Sequence, residues 1–264
     1  MTFLLAGDSN EYETVTVEAR EWDSQVLGLR TARINEIIRL DRAVLKSSTA
    51  PKYLPLIDGL TQAGFEYVTA RRPQSEWAQI HRLENAGFRA LDGILEFALT
   101  LDQRDRTARA ARFPLRLAAV SDAVRLAELS ARTFTLSRFH NDPLLTRAQA
   151  DRVFYEWARN SCLGVAAQAV WICEDGDRPL GLITCKLNGQ TGIIDLVGVD
   201  SAAVGQGVGS ALVHKACAWF IEQGCARVTV QTQTSNLTAI HLYSKLGFKP
   251  SAASLTLRWA PGSR

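Results

Sequence analysis

The chain has 264 residues, which is enough for one large domain or for two smaller domains that each bury a core. Hydrophobic residues make up 47% and charged residues 22%, an ordinary globular composition that argues against disorder. The net charge is only +3, and no basic run is long enough to suggest a nucleic-acid partner. No apolar stretch reaches the roughly 18 residues of a membrane span, and the N-terminus lacks a secretory signal, so we expect a cytoplasmic protein without a membrane partner.

The five cysteines form no Cys-x-x-Cys pair, and several lie in apolar surroundings, so we expect reduced and buried thiols. The four histidines are scattered along the chain. The sequence therefore predicts no metal site.

An internal repeat divides the chain. Residues 64–99 align without gaps to residues 224–259, at a constant offset of 160 positions (224 against 64). Each copy predicts a strand, a polar turn, a helix ended by glycine, and a second strand. We therefore predict two related domains, at 1–105 and 113–264, joined by the Arg- and Ala-rich linker 102–112.

The second half then predicts its elements in chain order. A strand at 113–117 precedes a helix at 122–130, for which Ser121 is the expected N-cap. Two strands at 170–174 and 180–186 flank an Asp-Gly-Asp turn, as in a hairpin. A further strand at 192–199, a helix ending near Phe220 and a strand at 228–233 complete the order, which indicates an α/β architecture.

Three glycines, Gly205, Gly207 and Gly209, connect the strand at 192–199 to the following helix. Such a loop points backbone N–H groups into one concavity beside the positive end of the helix dipole, which suits a phosphate or pyrophosphate. A tight turn without a ligand is equally open on the glycines alone. A dinucleotide site is disfavoured, because Ser210 stands at the third glycine position and the strand at 228–233 carries no acidic residue.

Two motifs in the right order carry a family resemblance. The first is Val204-Gly205-Gln206-Gly207-Val208-Gly209, and the second runs from Asn236 through Ala239-Ile240, Leu242-Tyr243 and Gly247-Phe248. With them, residues 113–259 resemble the GNAT superfamily of acetyl-CoA-dependent N-acetyltransferases, although Val204 replaces the usual Gln or Arg. The resemblance implies a mixed central sheet flanked by helices, with acetyl-CoA as co-substrate. In the first half Glu76 and Leu83 replace Asn236 and Tyr243, so that half is expected to be a degenerate partial copy.

The resemblance also implies the cofactor site. Backbone groups of the strand before the loop would pair with the pantetheine, the loop would hold the pyrophosphate, and Asn236 would bond the pantetheine or a water. Tyr243 would be the general acid that protonates the leaving thiolate. The alternatives are a core aromatic for Tyr243 and a plain helix cap for Asn236. The expected contacts are Leu196, Val197, Val199, Val204, Gly205, Gln206, Gly207, Val208, Gly209, Ser210, Asn236 and Tyr243.

Within the superfamily the chain is similar to TDP-fucosamine acetyltransferases, in segments 21–28, 137–142 and 155–162. This similarity implies an acceptor amine on a nucleotide-linked amino sugar, such as a dTDP-4-amino-4,6-dideoxyhexose. It makes Arg138, His140 and Asn160 the candidate substrate contacts, with a solvated surface residue as the alternative for Arg138. The general base is not assigned, because Asp195 and His140 read more readily as structural or substrate-contacting groups and a water relay leaves no mark in a sequence.

Two other functions stay open from the sequence. One is acetylation of a protein N-terminus or another small amine, and the other is a non-catalytic acetyl-CoA sensor. The presence of both Tyr243 and Asn236 speaks against a sensor, which has no need of a thiolate acid. Whether the chain forms a homodimer is not decided by the sequence.

Overall fold

The computed structural model describes residues 1–6, 12–40, 54–102 and 112–262. They form two compact units, one of residues 1–93 with 253–264 and the other of residues 94–252. The predicted domains, 1–105 and 113–264, are continuous segments and divide the chain differently. Residues 103–111 of the predicted linker lie outside the described residues.

The first unit is a sheet with helices packed on it. Its strands follow the order β1-β2-β3-β4-β11, in which β3 and β4 run parallel and the other neighbours antiparallel. Its core includes Val15, Ile34, Leu60, Val68 and Phe88. The elements are β1 (Thr2–Ala6), β2 (Tyr12–Ala19), α1 (Glu21–Leu27), β3 (Thr31–Leu40), α2 (Leu54–Gln62), β4 (Tyr67–Pro73), α3 (Trp77–Asn85), the start of β5 (Arg89–Thr100) and most of β11 (Lys249–Trp259).

The second unit is a mixed sheet with the order β5-β10-β9-β8-β7-β6. Only β9 and β10 run parallel, and the other neighbours are antiparallel. The predicted mixed sheet flanked by helices is thus confirmed. Its elements after β5 are β6 (Leu115–Leu117), α4 (Ala123–Thr133), α5 (Arg138–Asn141), α6 (Arg147–Cys162), β7 (Ala169–Asp175), β8 (Arg178–Asn188), β9 (Thr191–Val199), α7 (Val208–Glu222), β10 (Arg227–Gln233) and α8 (Leu237–Lys245).

The repeat predicted from the sequence is present in the structure. Strands β4 and β10 and helices α3 and α8 begin and end at positions separated by the same offset of 160. Gly87 and Gly247 follow the two helices with φ of 92° and 87°, a conformation that other residues rarely adopt. The last strands differ, because residues 94–100 of β5 pair with β10 whereas residues 254–259 of β11 pair with β4. Self-similarity reveals the repeated segments but not the sheet that each strand joins.

The start of α4 differs from the prediction. Ser121 is not its cap, since the helix begins at Ala123 after a short 3-10 turn. Asp122 accepts the N–H of Ala119 (2.7 Å) and pairs with Arg116 (2.7 and 3.0 Å), which joins α4 to β6. A buried carboxylate with these partners forms stronger, charge-assisted hydrogen bonds at this position than a serine hydroxyl would.

The predicted hairpin of β7 and β8 is confirmed. All five cysteines are free thiols, three of them buried and two half-buried. Within the described part of the chain, no helix is long and apolar enough to cross a membrane.

Candidate functional site

The sheet of the second unit opens between β9 and β10. Their parallel ladder runs from the pair Thr191 and Arg227 to the pair Ile194 and Val230, and no further. Beyond that point β10 continues to pair with β5, and β9 continues to pair with β8 up to Val199. In the described structure, the end of β9 therefore has a strand partner on one side only, and a gap lies on the side where β10 has departed.

A β-bulge at Asp195 accompanies this gap. Leu196 lies opposite Thr184 and Ile194 lies opposite Cys185, so that Asp195 is an additional residue in β9. The N–H of Leu196 donates to the Thr184 hydroxyl oxygen (3.0 Å), and Thr184 is fully buried. The hydroxyl thereby satisfies a donor that the irregular ladder leaves unpaired.

The alternation along β9 decides which backbone groups face the gap. The N–H of Leu196 points towards β8, and so does that of Asp200, which donates to the Leu180 carbonyl (2.8 Å). Successive residues of an extended strand alternate in direction, so Val197 and Val199 turn their N–H and C=O groups to the gap. Of the three residues predicted to hold the pantetheine, Leu196 has its donor occupied, while Val197 and Val199 present an edge that an amide chain can extend like an added strand.

The glycine loop lies directly after β9. Gly205 and Gly207 have φ of 81° and 83°, and Gly207 precedes the first residue of α7. The N–H groups of Val208, Gly209 and Ser210 in the first turn have no carbonyl four residues back within the helix. A Cβ atom at Gly205 or Gly207 would meet no described atom within 4 Å. The loop therefore presents unpaired donors to open space, the arrangement that binds phosphate.

Other residues of the loop stabilise it from within. Asp200 accepts the N–H of Ala202 (3.0 Å) and pairs with Arg132 (3.1 Å) and Arg178 (3.2 Å). The bond from Ala202, with Arg132 and Arg178, lowers the pKa of Asp200 although burial opposes this shift. The Gln206 side chain donates to the Ala202 carbonyl (2.9 Å). Asp200 and Gln206 thus hold the turn, and Val204, which is 58% exposed, offers no polar side chain.

Helix α8 carries the two remaining cofactor candidates. Asn236 caps the helix, because its side-chain oxygen accepts the N–H of Ala239 (3.2 Å). Tyr243 is buried, with its ring 5.8 Å from those of Phe97 and Phe248, and burial raises its pKa well above the ordinary value. The phenol is therefore a core aromatic that also keeps a proton to donate.

The three predicted acceptor contacts differ in their surroundings. Both ring nitrogens of His140 are bonded, Nδ1 to Ser137 (2.7 Å) and Nε2 to Asp151 (2.9 Å), and its side chain is 4% exposed. Asn160 uses its backbone carbonyl to end α6, accepting the N–H of Val165 (2.9 Å). Arg138 lies over the ring of its neighbour Phe139 at 4.4 Å, and its buried Nε has no partner in the described structure. Arg138 alone offers a guanidinium to an anion.

The two groups considered as a general base are both engaged. Asp195 at the bulge forms an ion pair with Lys186 of β8. His140 is held between Ser137 and Asp151. Both side chains are therefore already held by partners within the second unit.

Three supporting residues were not identified from the sequence. They are Thr184 under the bulge, Arg132 of α4, which pairs with Asp200, and Phe134 beside β9. Only the position of Thr184, midway along the predicted strand at 180–186, is a signal for a hydroxyl that requires a partner.

Comparisons with known proteins agree with this geometry. Residues 125–248 match the model of the acetyltransferase (GNAT) family. SpsD, a spore coat polysaccharide biosynthesis protein of Bacillus subtilis, is 32% identical over 127 residues, which are 48% of this chain and 44% of that protein. N-alpha-acetyltransferase 30 of Xenopus laevis is 34% identical over 86 residues, 31% of this chain and 32% of that protein. The chain thus spans less than half the length of these curated relatives.

Solved structures show the same fold. A tandem GNAT protein from the clavulanic acid biosynthesis pathway aligns with a TM-score of 0.63 at 12% identity, over 100% of this chain and 84% of that one. A GCN5-related N-acetyltransferase of Sphaerobacter thermophilus aligns with a TM-score of 0.57 at 16% identity, over 95% and 76%. The tandem neighbour fits a chain whose first half is a degenerate copy of the second. The second compact unit, which contains the matched residues, belongs to the acetyltransferase (GNAT) family.

Proposed function

We propose that this protein is an acetyl-CoA-dependent N-acetyltransferase that transfers acetyl to the amine of a nucleotide-linked amino sugar. One observation carries the cofactor part of this proposal. The free backbone edge of Val197 and Val199 leads directly to the unpaired N–H groups at the start of α7. An amide-bearing chain that ends in a pyrophosphate fits both features at once.

The reaction needs few side chains. The neutral amine attacks the thioester carbonyl, a C–N bond forms as the C–S bond breaks, and the thiolate leaves. Tyr243 gives the thiolate its proton, since burial keeps the phenol protonated at neutral pH. The amine loses its proton to solvent water, and the Tyr243 phenolate takes a proton back from solvent, so that protons balance over the cycle.

The acceptor part of the proposal is supported by Arg138 and by the relatives. A guanidinium whose buried Nε has no hydrogen-bond partner in the described structure suits a nucleotide diphosphate, which it can bind in a bidentate manner. Asn160 and His140 remain proposed contacts of the acceptor. His140 acts indirectly, because it holds α5 in position. The similarity to SpsD supports a sugar as the acceptor. The two predicted domains, 1–105 and 113–264, are proposed to be homologous, and the second is proposed to be catalytic.

Acetylation of a protein N-terminus is the alternative. The 34% identity with N-alpha-acetyltransferase 30 over 86 residues favours it. That alignment includes fewer residues than the alignment with SpsD. An extended peptide also carries no diphosphate that Arg138 could bind. A non-catalytic acetyl-CoA sensor would retain the loop but would gain nothing from a protonated Tyr243.

Thiol release from acetyl-CoA tests these functions directly. The acceptors are dTDP- and UDP-linked amino sugars, with free amines and N-terminal peptides as controls. We expect release only with nucleotide amino sugars. Release with peptides alone would favour the alternative, and binding of acetyl-CoA without release from any acceptor would favour a sensor.

A further inference from the structure

Phe134, at the end of α4, lies directly on the backbone of β9. A Cβ atom at Gly198 would be 3.1 Å from Cε2 and 3.2 Å from Cζ of this ring. Real Cβ contacts are seldom so short, so only glycine lets the ring approach this closely. Gly198 stands between Val197 and Val199, whose backbone groups face the gap. The ring is therefore adjacent to the path proposed for the pantetheine.

Neighbouring rings fix the orientation of Phe134. It is stacked on Phe154 with 4.9 Å between centroids and 12° between planes. Phe154 is also stacked with His140 (5.7 Å) and with Trp157 (6.2 Å). His140 cannot rotate freely, because Ser137 and Asp151 hold its two nitrogens. One face of Phe134 is thus covered by Phe154, and the ring stays half-buried.

A cation lies at the other end of the same aromatic cluster. Phe139 meets Phe154 edge-on (6.3 Å, 81°), and the guanidinium of Arg138 lies over Phe139 at 4.4 Å. Three successive ring contacts therefore connect the group proposed for the diphosphate with the ring beside β9. An acceptor that joins a diphosphate to an amine through one rigid ring would match this order.

We propose that Phe134 determines acceptor specificity by supporting the sugar ring of the acceptor on the part of its aromatic ring that remains exposed. The inference rests on the proposed function. The axial C–H bonds of a pyranose form an apolar face, and the face of an aromatic ring is negatively polarised and attracts such hydrogens. A ring seated there would hold its amine near the thioester. An extended peptide has no flat apolar face at its amine and would gain little from this contact.

Calorimetry on the protein saturated with CoA tests whether Phe134 supports the sugar ring. The probes are a dTDP-linked 4-amino-6-deoxy sugar and dTDP alone. We expect Phe134→Leu to weaken binding of the amino sugar nucleotide about tenfold, with unchanged binding of dTDP. Gly198→Ala should weaken it in the same way, because the new methyl group would lie 3.1 Å from both Leu182 and the Phe134 ring and would displace the ring. Val124→Ala, which shortens an exposed side chain of the same helix, is the control and should change neither affinity.

Each outcome decides the inference. Equal loss for dTDP and the amino sugar nucleotide in Phe134→Leu would overturn it, and so would unchanged affinity in both variants. Failure of the unchanged protein to bind any nucleotide amino sugar would also overturn it. Affinity for acetyl-CoA and thiol release with other amines, measured in parallel, report on the acetyltransferase itself, so the two proposals fail separately.

Discussion

The bulge in β9 depends on a single hydroxyl, and its removal gives the sharpest test of how the site is built. Thr184 is fully buried, and its oxygen accepts the N–H of Leu196 at 3.0 Å. In Thr184→Val a methyl group replaces the oxygen, and the N–H is left buried without an acceptor. Such an unpaired donor costs about 1–3 kcal/mol. In a domain of this size we expect the melting temperature to fall by about 4–8 °C for a loss near 2 kcal/mol.

The same variant should also weaken the cofactor site. Without this acceptor, we expect β9 to shift locally so that the N–H of Leu196 finds another partner. The backbone groups of Val197 and Val199 then no longer face the gap in the same register. Losing one of their hydrogen bonds, worth about 1 kcal/mol, reduces acetyl-CoA affinity about fivefold. Calorimetric titration with acetyl-CoA and thermal unfolding followed by circular dichroism measure the two effects.

Thr184→Ser is the matched control. It keeps the acceptor oxygen and loses one buried methyl group, at a cost of about 1 kcal/mol. We expect it to bind acetyl-CoA as tightly as the unchanged protein. If Thr184→Val binds acetyl-CoA equally well and melts no lower than Thr184→Ser, then the hydroxyl does not maintain the bulge and the reasoning is wrong.

Two further predictions concern Tyr243 and Asp122. Because phenylalanine keeps the ring that packs against Phe97 and Phe248, Tyr243→Phe should keep the stability and the affinity for acetyl-CoA, while turnover falls about 100-fold or more; unchanged turnover would remove Tyr243 as the acid. Hydrogen bonding to Arg116 lowers the pKa of Asp122 below 3.8 although burial opposes it, so this carboxylate stabilises the fold above about pH 4 and the effect is lost in stronger acid. Asp122→Asn should therefore unfold about 2 kcal/mol more easily at pH 7, and urea unfolding from pH 7 to pH 3 should show this difference narrowing; a constant difference would contradict it.

Local patterns predicted the parts of the structure that local chemistry determines. The repeat predicted where α3 and α8 end, because a glycine follows each helix in the sequence. Gly87 and Gly247 both adopt a positive φ in the structure. The loop from Gly205 to Gly209 was recognised for the same reason. Backbone conformation at a glycine is a property of a few neighbouring residues, so the sequence reports it reliably.

Pairing between distant segments was not predictable in this way. The bulge at Asp195 arises from the register between β8 and β9, and nothing in either strand alone specifies a one-residue shift. The partner of His140, Asp151, lies on a different helix, so the bond that joins α5 to α6 could not be predicted from either segment alone. The exchange of β5 and β11 between the two units likewise depends on which sheet edge each strand meets.

Asn236 shows how one residue can satisfy both a structural and a functional expectation. Its side-chain oxygen caps α8 through Ala239, whereas Glu76 at the equivalent position of α3 makes no side-chain cap. The cap uses only the oxygen, which leaves the amide NH₂ available to the cofactor. Asn236→Ser keeps a capping oxygen and removes the amide, so stability should change by less than about 0.5 kcal/mol. If the amide donates to the pantetheine, acetyl-CoA affinity falls about fivefold; equal affinity with equal stability would leave Asn236 as a helix cap alone.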